Sequence, residues 1–400
     1  MHASTIVSRI LGSCLTTLHA KRAAALLRIT TALLQGGIAS LTAIALHLDS
    51  PTPLKHRIKS VDRLLGNREL HRARGTLYRG AAQCWLQGLS KLLVVVDWSD
   101  LSRDQRWQLL RASAVVDGRS VTLYEEVHPQ KHLAHAEVHR RFLKQLAELV
   151  PTGMSLIIMT DAGFHAPWFK LVVAQGWEFV GRIRGRNRMQ WGDEGAWIPA
   201  RDLYARATQR TLELGLGAYA RSNPVAVRGV LSKRPEKGRH SLNMFGVRRT
   251  GRSSAKSARS AKEPWLLVSS LGLQHLSPDA IIRLYAQRMR IEQSFRDTKN
   301  LRVGLGLEVA RSRSKQRLEM LLLIVHLTSF VQRLIGECAK QQQLELQFMS
   351  ARRIGYREIS TLTLGRRILD AAPRYLRQLL PWKAIPPLTL QAESACEGTW

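Results

Sequence analysis

The chain has 400 residues, with 61 Lys and Arg against 30 Asp and Glu, for a formal net charge of +31. That imbalance points to a polyanionic partner, and a 45% hydrophobic content over this length suits two or three domains with real cores, which excludes disorder throughout. Apolar stretches such as Met320 to Val331 fall short of the roughly 20 residues a spanning helix needs. Arg9 interrupts the one signal-like segment, and Cys14, Cys84, Cys338 and Cys396 are too scattered for a disulfide framework or a thiolate zinc site. The expected setting is soluble, in a reducing cytoplasm.

Residues 21–48 read as two apolar helical segments broken at Gly36-Gly37. After the Pro51-Thr52-Pro53 turn, the stretch from Lys55 to Arg79 carries eight Lys/Arg and two acids. Ile58, Val61, Leu64 and Leu65 fall on one helical stripe, which leaves Lys55, Arg57, Lys59, Arg63 and Arg68 to face outward. Two short helices followed by a basic third suit a helix-turn-helix-like DNA reader, with Arg57, Lys59 and Arg63 as phosphate contacts; a solvated basic face is the alternative.

From Lys91 the pattern changes. Lys91 to Asp97 is a continuous apolar run ended by an acid, as expected of a strand buried on both faces. Arg111–Val116 and Ser120–His128 alternate across an Asp117-Gly118 turn and predict a hairpin. A helix is expected over 133–150, a second apolar strand ending in Asp161, a helix over 166–175 and a strand over 177–184. The order strand, hairpin, helix, strand, helix, strand specifies a mixed α/β core. Residues 185–276 hold short β-like pieces, and from Lys233 to Lys262 there are ten Lys/Arg and one acid, a composition suited to a phosphate-seeking loop. Ser277-Pro278-Asp279 is a helix start, with Ser as cap and Pro in the first turn, and the chain reads as mostly helical to about Trp382.

Asp97 and Asp161 each end an apolar strand, where a carboxylate needs a compensating cation or serves as a cap. If the two strands are parallel neighbours, their carboxylates stand side by side at the sheet edge where α/β folds bind ligands. With a third carboxylate they could hold two Mg²⁺ for in-line phosphoryl displacement. On the helix from Pro278, Tyr285, Arg288, Glu292 and Lys299 fall within a sector of roughly 60° at about 100° per residue, beside a core stripe of Leu284, Ile291 and Phe295. A metal ligand with phosphate-binding neighbours and an exposed ion-paired face both suit this stripe. His132, His135 and His139 read as a solvated basic face, Asp100 as the cap of a following helix, and Gly304-x-Gly306 lacks the context of a dinucleotide site.

The pattern Tyr285-x2-Arg288-x3-Glu292-x6-Lys299, with Asp97 in VDWSD and Asp161 in TDAGF, resembles the signature of the cut-and-paste DDE transposases of the fourth insertion-sequence family. VDRLLGNR, GRSVTLYE, DAGFHAPW, RSNP, SAKEPW and YAQRMRIEQSFRD extend the likeness over most of the chain. The resemblance implies an α/β fold with an RNase H-like mixed-sheet catalytic core over 86–184, a β-rich basic insertion over 185–276 and a core helix bearing Glu292 over 277–305. Around it come a helical DNA-binding region over 1–85 and a helical C-terminal region over 306–400. It implies Asp97, Asp161 and Glu292 as catalytic metal ligands for two Mg²⁺, with Mn²⁺ able to substitute, and phosphate contacts from Arg288 and Lys299; Tyr285 is a third such contact or, alternatively, a phenol that packs and hydrogen-bonds. It also implies base stacking by Trp265, for which a core tryptophan is the alternative. The expected partners are double-stranded DNA, as element ends and target, and a second copy of the chain in a synaptic homodimer, in a bacterial cytoplasm and on the nucleoid when DNA-bound. The activity implied is binding of terminal inverted repeats, cleavage through a hairpin and joining of 3′-OH ends to target DNA. A nonenzymatic basic DNA-binding protein and an RNase H-like nuclease without strand transfer are the alternatives.

Overall fold

The computed structural model describes residues 3–102, 104–116, 119–192, 195–233, 251, 262–349 and 359–371. The Asp117-Gly118 turn, most of the basic stretch from Lys233 to Lys262, Cys396 and the chain beyond 371 lie outside the described residues.

Six helices precede the sheet: α1 (Ala3–Leu11), α2 (Ala20–Gly36), α3 (Leu41–Leu46), α4 (Leu54–Leu65), α5 (Arg68–Arg72) and α6 (Arg74–Leu86). The expected break after α2 falls at Gly37, whose φ of 64° is left-handed and whose N–H closes on the Leu33 carbonyl, a helix stop that a side chain would strain. Val61, Leu64 and Leu65 of α4 are buried, as their spacing predicts.

Among the described residues one sheet of ten strands follows, in the order β3-β2-β1-β4-β5-β10-β9-β8-β6-β7. Its first half is the predicted mixed α/β core: β1 (Lys91–Asp100), β2 (Trp107–Val116), β3 (Arg119–Pro129), α7 (Ala136–Leu149), β4 (Ser155–Thr160), α8 (Ala166–Ala174) and β5 (Glu178–Ile183). β1 pairs antiparallel with β2 and parallel with β4, and β4 pairs parallel with β5. Leu92 to Val96 are all buried, which accounts for a strand without alternation. Asp100 is a correction: a strand, not a helix, follows it, and its carboxylate accepts from Gln105 and Gln108.

The second half of the sheet is built by β6 (Arg188–Trp191), β7 (Ile198–Pro199), β8 (Leu212–Tyr219), β9 (Val225–Ser232) and β10 (Trp265–Ser269). β10 pairs antiparallel with β5, so these strands prolong the core sheet. The helical period resumes at α9 (Pro278–Ala286), where the Ser277 hydroxyl accepts from the Ala280 N–H at 3.2 Å as the sequence predicts. The single helix expected from Pro278 is instead tightened by a 3₁₀ turn at Gln287–Met289 before α10 (Arg290–Lys299). Such a turn advances by about 120° per residue rather than 100°, so the sequence wheel misplaces the second half relative to the first.

α11 (Lys315–Gln341) and α12 (Thr361–Ala371) complete the described fold. By length and apolarity α11 could cross a membrane, contrary to the reading of Met320–Val331 alone, because helix-forming polar residues extend it at both ends. It is instead a core helix, with 94% of its most apolar window buried. Glu319 on α11 ties the layers together, accepting from the Val127 backbone N–H at 3.1 Å and pairing with Arg74 at 3.1 Å. Of the described cysteines, Cys14 is buried and Cys84 and Cys338 are half-buried.

Candidate active site

The parallel pairing sets Val96 opposite Thr160, so Asp97 and Asp161 emerge side by side; Asp161 follows the end of β4 as expected, whereas β1 does not end at Asp97 but continues to Asp100, held by its pairing with β2. At Asp161 the chain turns sharply: its Oδ1 accepts from the Gly163 N–H at 2.8 Å, and a Cβ on Gly163 would lie 3.0 Å from that oxygen. Asp97 Oδ1 accepts from the Trp98 N–H at 2.8 Å, and its Oδ2 takes Arg288 Nη1 at 3.0 Å. Arg288 Nη2 reaches Glu292 Oε1 at 3.3 Å. One guanidinium therefore joins the strand acid to the helical acid.

Burial, followed by the charge of Asp161, pushes the Asp97 pKa up to about 7, against the pull of Arg288 and the Trp98 N–H. Burial opposes the charge on Arg288, yet the acidic groups around it, Tyr285, Asp97, Asp161 and Glu292, hold its pKa above the ordinary guanidinium value. The side chains of Asp97 and Arg288 are 13% and 14% exposed, whereas that of Glu292 is 50% exposed. Glu292 is thus the solvent-facing partner of a buried pair.

The remaining candidates surround this centre unevenly. Lys299 Nζ donates to Ser99 Oγ at 2.5 Å and to the Asp100 carbonyl at 2.7 Å, and burial, then Arg111, lowers its pKa to about 8. Tyr285 is buried, its pKa raised by that burial to about 12. Trp265 is half-buried and packs edge-on against Tyr285, with ring centroids 4.9 Å apart at 83°. Leu266 pairs with Ile183 at the end of β5, so Trp265 lies at the same edge of the sheet as the two aspartates. Lys59 and Arg63 are exposed on α4, far from this centre in the chain. Arg57 does not face out as expected: it is half-buried, and its Nη1 donates to the Leu46 and Leu48 carbonyls at 3.4 Å each.

The sequence reading misplaced His139 and passed over Arg111. His139 is buried, accepting from Trp98 Nε1 at 3.3 Å and stacking on Phe164 at 5.3 Å, so the three histidines do not share a solvated face. Arg111 is buried inside β2, where a cation in an apolar strand was the available signal.

A divalent cation suits Asp97 and Asp161 chemically: the donors are hard anionic oxygens, and the repulsion that Asp161 exerts on Asp97 is relieved by positive charge. Among the described residues no three His, Cys, Asp or Glu side chains form a ready cage, since Arg288 stands between Asp97 and Glu292.

Residues 88–330 match the model of the family described as the transposase DDE domain. The chain belongs to that family. DDE transposases are metal-dependent enzymes that act on DNA in transposition and recombination, as parts of insertion sequences and other mobile elements. No curated protein matches the chain.

Proposed function

We propose that the chain is a cut-and-paste transposase of the fourth insertion-sequence type, akin to the transposase of the composite tetracycline-resistance transposon. In this reading it binds terminal inverted repeats, cleaves through a hairpin and joins 3′-OH ends to target DNA as a synaptic homodimer. The observation that carries the proposal is the emergence of Asp97 and Asp161 side by side from β1 and β4, with Glu292 brought to them through Arg288. The strand order β3-β2-β1-β4-β5, with the first three antiparallel and the last two parallel to β1, supports an RNase H-like core over 86–184. The proposed flanking regions are a DNA-binding region over 1–85, an insertion over 185–276, the Glu292-bearing helix over 277–305 and a C-terminal region over 306–400.

In this mechanism Asp97, Asp161 and Glu292 would hold two Mg²⁺, or Mn²⁺, which would supply the positive charge that acidifies a nucleophilic water or 3′-OH and offsets charge on a leaving 3′-oxygen. The protein's own work is positioning. The Gly163 N–H orients the Asp161 carboxylate and the Trp98 N–H that of Asp97. Arg288, always cationic, neutralises the acids at rest and turns to a DNA phosphate when they are otherwise compensated. Lys299, held at the end of β1, adds a second phosphate contact, and Tyr285 backs Trp265, which stacks on an unpaired base at the cleavage site.

The test is cleavage of DNA carrying the element's ends. Asp97→Ala, Asp161→Ala and Glu292→Ala are each expected to reduce cleavage at least about 10³-fold while end binding stays near parental, because the loss falls on charge stabilised only in the transition state. Parental nicking by any of the three removes that residue from the site.

A further inference from the structure

Asp97, Arg111 and Glu125 form one row across three adjacent strands: Asp97 pairs with Arg111 between β1 and β2, and Arg111 pairs with Glu125 between β2 and β3. Neighbours across a strand pair point to the same face, and α10 packs over this one. The Arg111 side chain is 1% exposed, and its guanidinium is bonded on both sides. Nε and Nη2 reach Glu125 Oε2 at 2.7 and 2.6 Å, Nη1 donates to Ser294 Oγ at 2.9 Å and Nη2 to Thr298 Oγ1 at 3.0 Å. The cation also lies 4.9 Å from the centre of the Phe295 ring.

Ser294 and Thr298 are one turn apart on α10 and follow Glu292 by two and six residues. We infer that Arg111 is the positioning residue for Glu292: it pins α10 at two points against the β2–β3 hairpin and so fixes the helix rotation that presents the Glu292 carboxylate to Asp97. The inference rests on the reading of Glu292 as the third metal-binding carboxylate.

The geometry explains why an arginine is needed. Two hydrogen bonds one turn apart resist both tilt and rotation, and a rotation of only about 20° would carry a side-chain terminus roughly 2 Å, given a helix radius of about 5–6 Å. Glu292 is itself half-exposed, and its carboxylate is held by Arg288, a group that must leave if a cation is to enter, so its placement depends on the helix beneath it. Only a planar fork with five N–H donors serves a carboxylate on one side and two hydroxyls on the other; an ammonium cannot span them. Arg119 reinforces the same hairpin-to-helix contact through Asp297 at 3.2 Å.

The experiment is a Mn²⁺ titration of the full chain, read by electron paramagnetic resonance, with thermal melts in parallel. Arg111→Lys keeps the charge opposite Glu125 and loses the fork. It is expected to weaken Mn²⁺ binding roughly 10- to 100-fold, the usual loss when a group orienting a metal ligand is removed. Ser294→Ala/Thr298→Val removes the same clamp from the helix side, should weaken binding in the same direction, and decides the matter if Arg111→Lys does not fold. On a Glu292→Gln background neither change should weaken binding further, because both act through the residue already altered. Parental Mn²⁺ affinity in a folded clamp variant, or a loss that adds in full to that of Glu292→Gln, overturns the inference while leaving Glu292 a ligand. Parental affinity in Glu292→Gln itself overturns the ligand reading, and the inference with it.

Discussion

Burial separates three histidines that lie close together in sequence. His135 is exposed and His132 half-buried, but His139 is 3% exposed, stacked on Phe164 and set edge-on to Trp168 at 4.9 Å. Burial, aided by the charges of His128, His135 and His165, lowers its pKa from 6.5 to about 4. Between those values the unfolded chain binds the proton and the folded chain does not. The stability contributed by a neutral His139 is therefore fully present above about pH 6.5 and is lost as pH falls toward 4, an effect on the order of 3 kcal/mol. His139→Gln retains an acceptor for Trp98 Nε1 without a titrating ring. Urea melts at pH 4.5 and 7.5 should show a smaller difference for this variant than for the parent; an equal difference assigns the acid sensitivity to other groups.

At the scale of elements, α4 shows how a basic stripe divides between fold and function. Its apolar stripe is buried against α2, α3 and α11, Lys59 and Arg63 project outward, and Arg57 turns back to the carbonyls at and just past the end of α3. A helix C-terminus leaves carbonyls without intrahelical donors, and a nearby guanidinium satisfies them. Lys59→Ala/Arg63→Ala is expected to flatten the dependence of log K on log salt for duplex DNA by about 1.8, or 0.9 for each phosphate the protein no longer neutralises, with little change in melting temperature. Arg57→Ala should show the converse, a drop of about 1 kcal/mol in stability with nearly the parental slope. A steepened or unchanged slope in the double variant would place the DNA footprint elsewhere.

Across the whole molecule, the continuous sheet brings distant parts of the chain to one edge. β10 docks on β5, and Trp265 at its start stands on the side where β1 and β4 end, so a residue more than 100 positions from either aspartate in sequence shares their neighbourhood. Hairpin closure needs a 3′-OH to attack across a duplex that stacking holds stiff, and a base flipped onto an aromatic ring relieves that constraint. In the proposed hairpin route, Trp265→Ala should forfeit roughly 1–3 kcal/mol at the hairpin step and leave first-strand nicking intact. A time course of nicked, hairpin and double-cut products tests this, with circular dichroism to check the fold. Because Trp265 also packs on Tyr285, equal slowing of every step, or a folding defect, would assign it to the core.

Local chemistry was enough to specify the apolar strands that lead to Asp97 and Asp161, though not that β1 runs on to Asp100, and also the hairpin between them, the break at Gly37 and the cap at Ser277, because each depends on neighbours within a few residues. The candidate site residues stand out in the sequence for the same reason, being close together or set at or near the ends of recognisable strands. Side-chain partners drawn from distant segments were not. No periodicity foretells that Arg288 pairs with Asp97 across 191 residues, that Arg111 bonds Ser294 across 183, or that His139 meets Trp98 and not water. Nor does it reveal that the glycine-rich strands after residue 185 prolong the core sheet, or that a 3₁₀ turn shifts α10 relative to α9. Those outcomes depend on which faces are brought together when the chain closes, and a buried polar group settles on whichever partner that closure supplies.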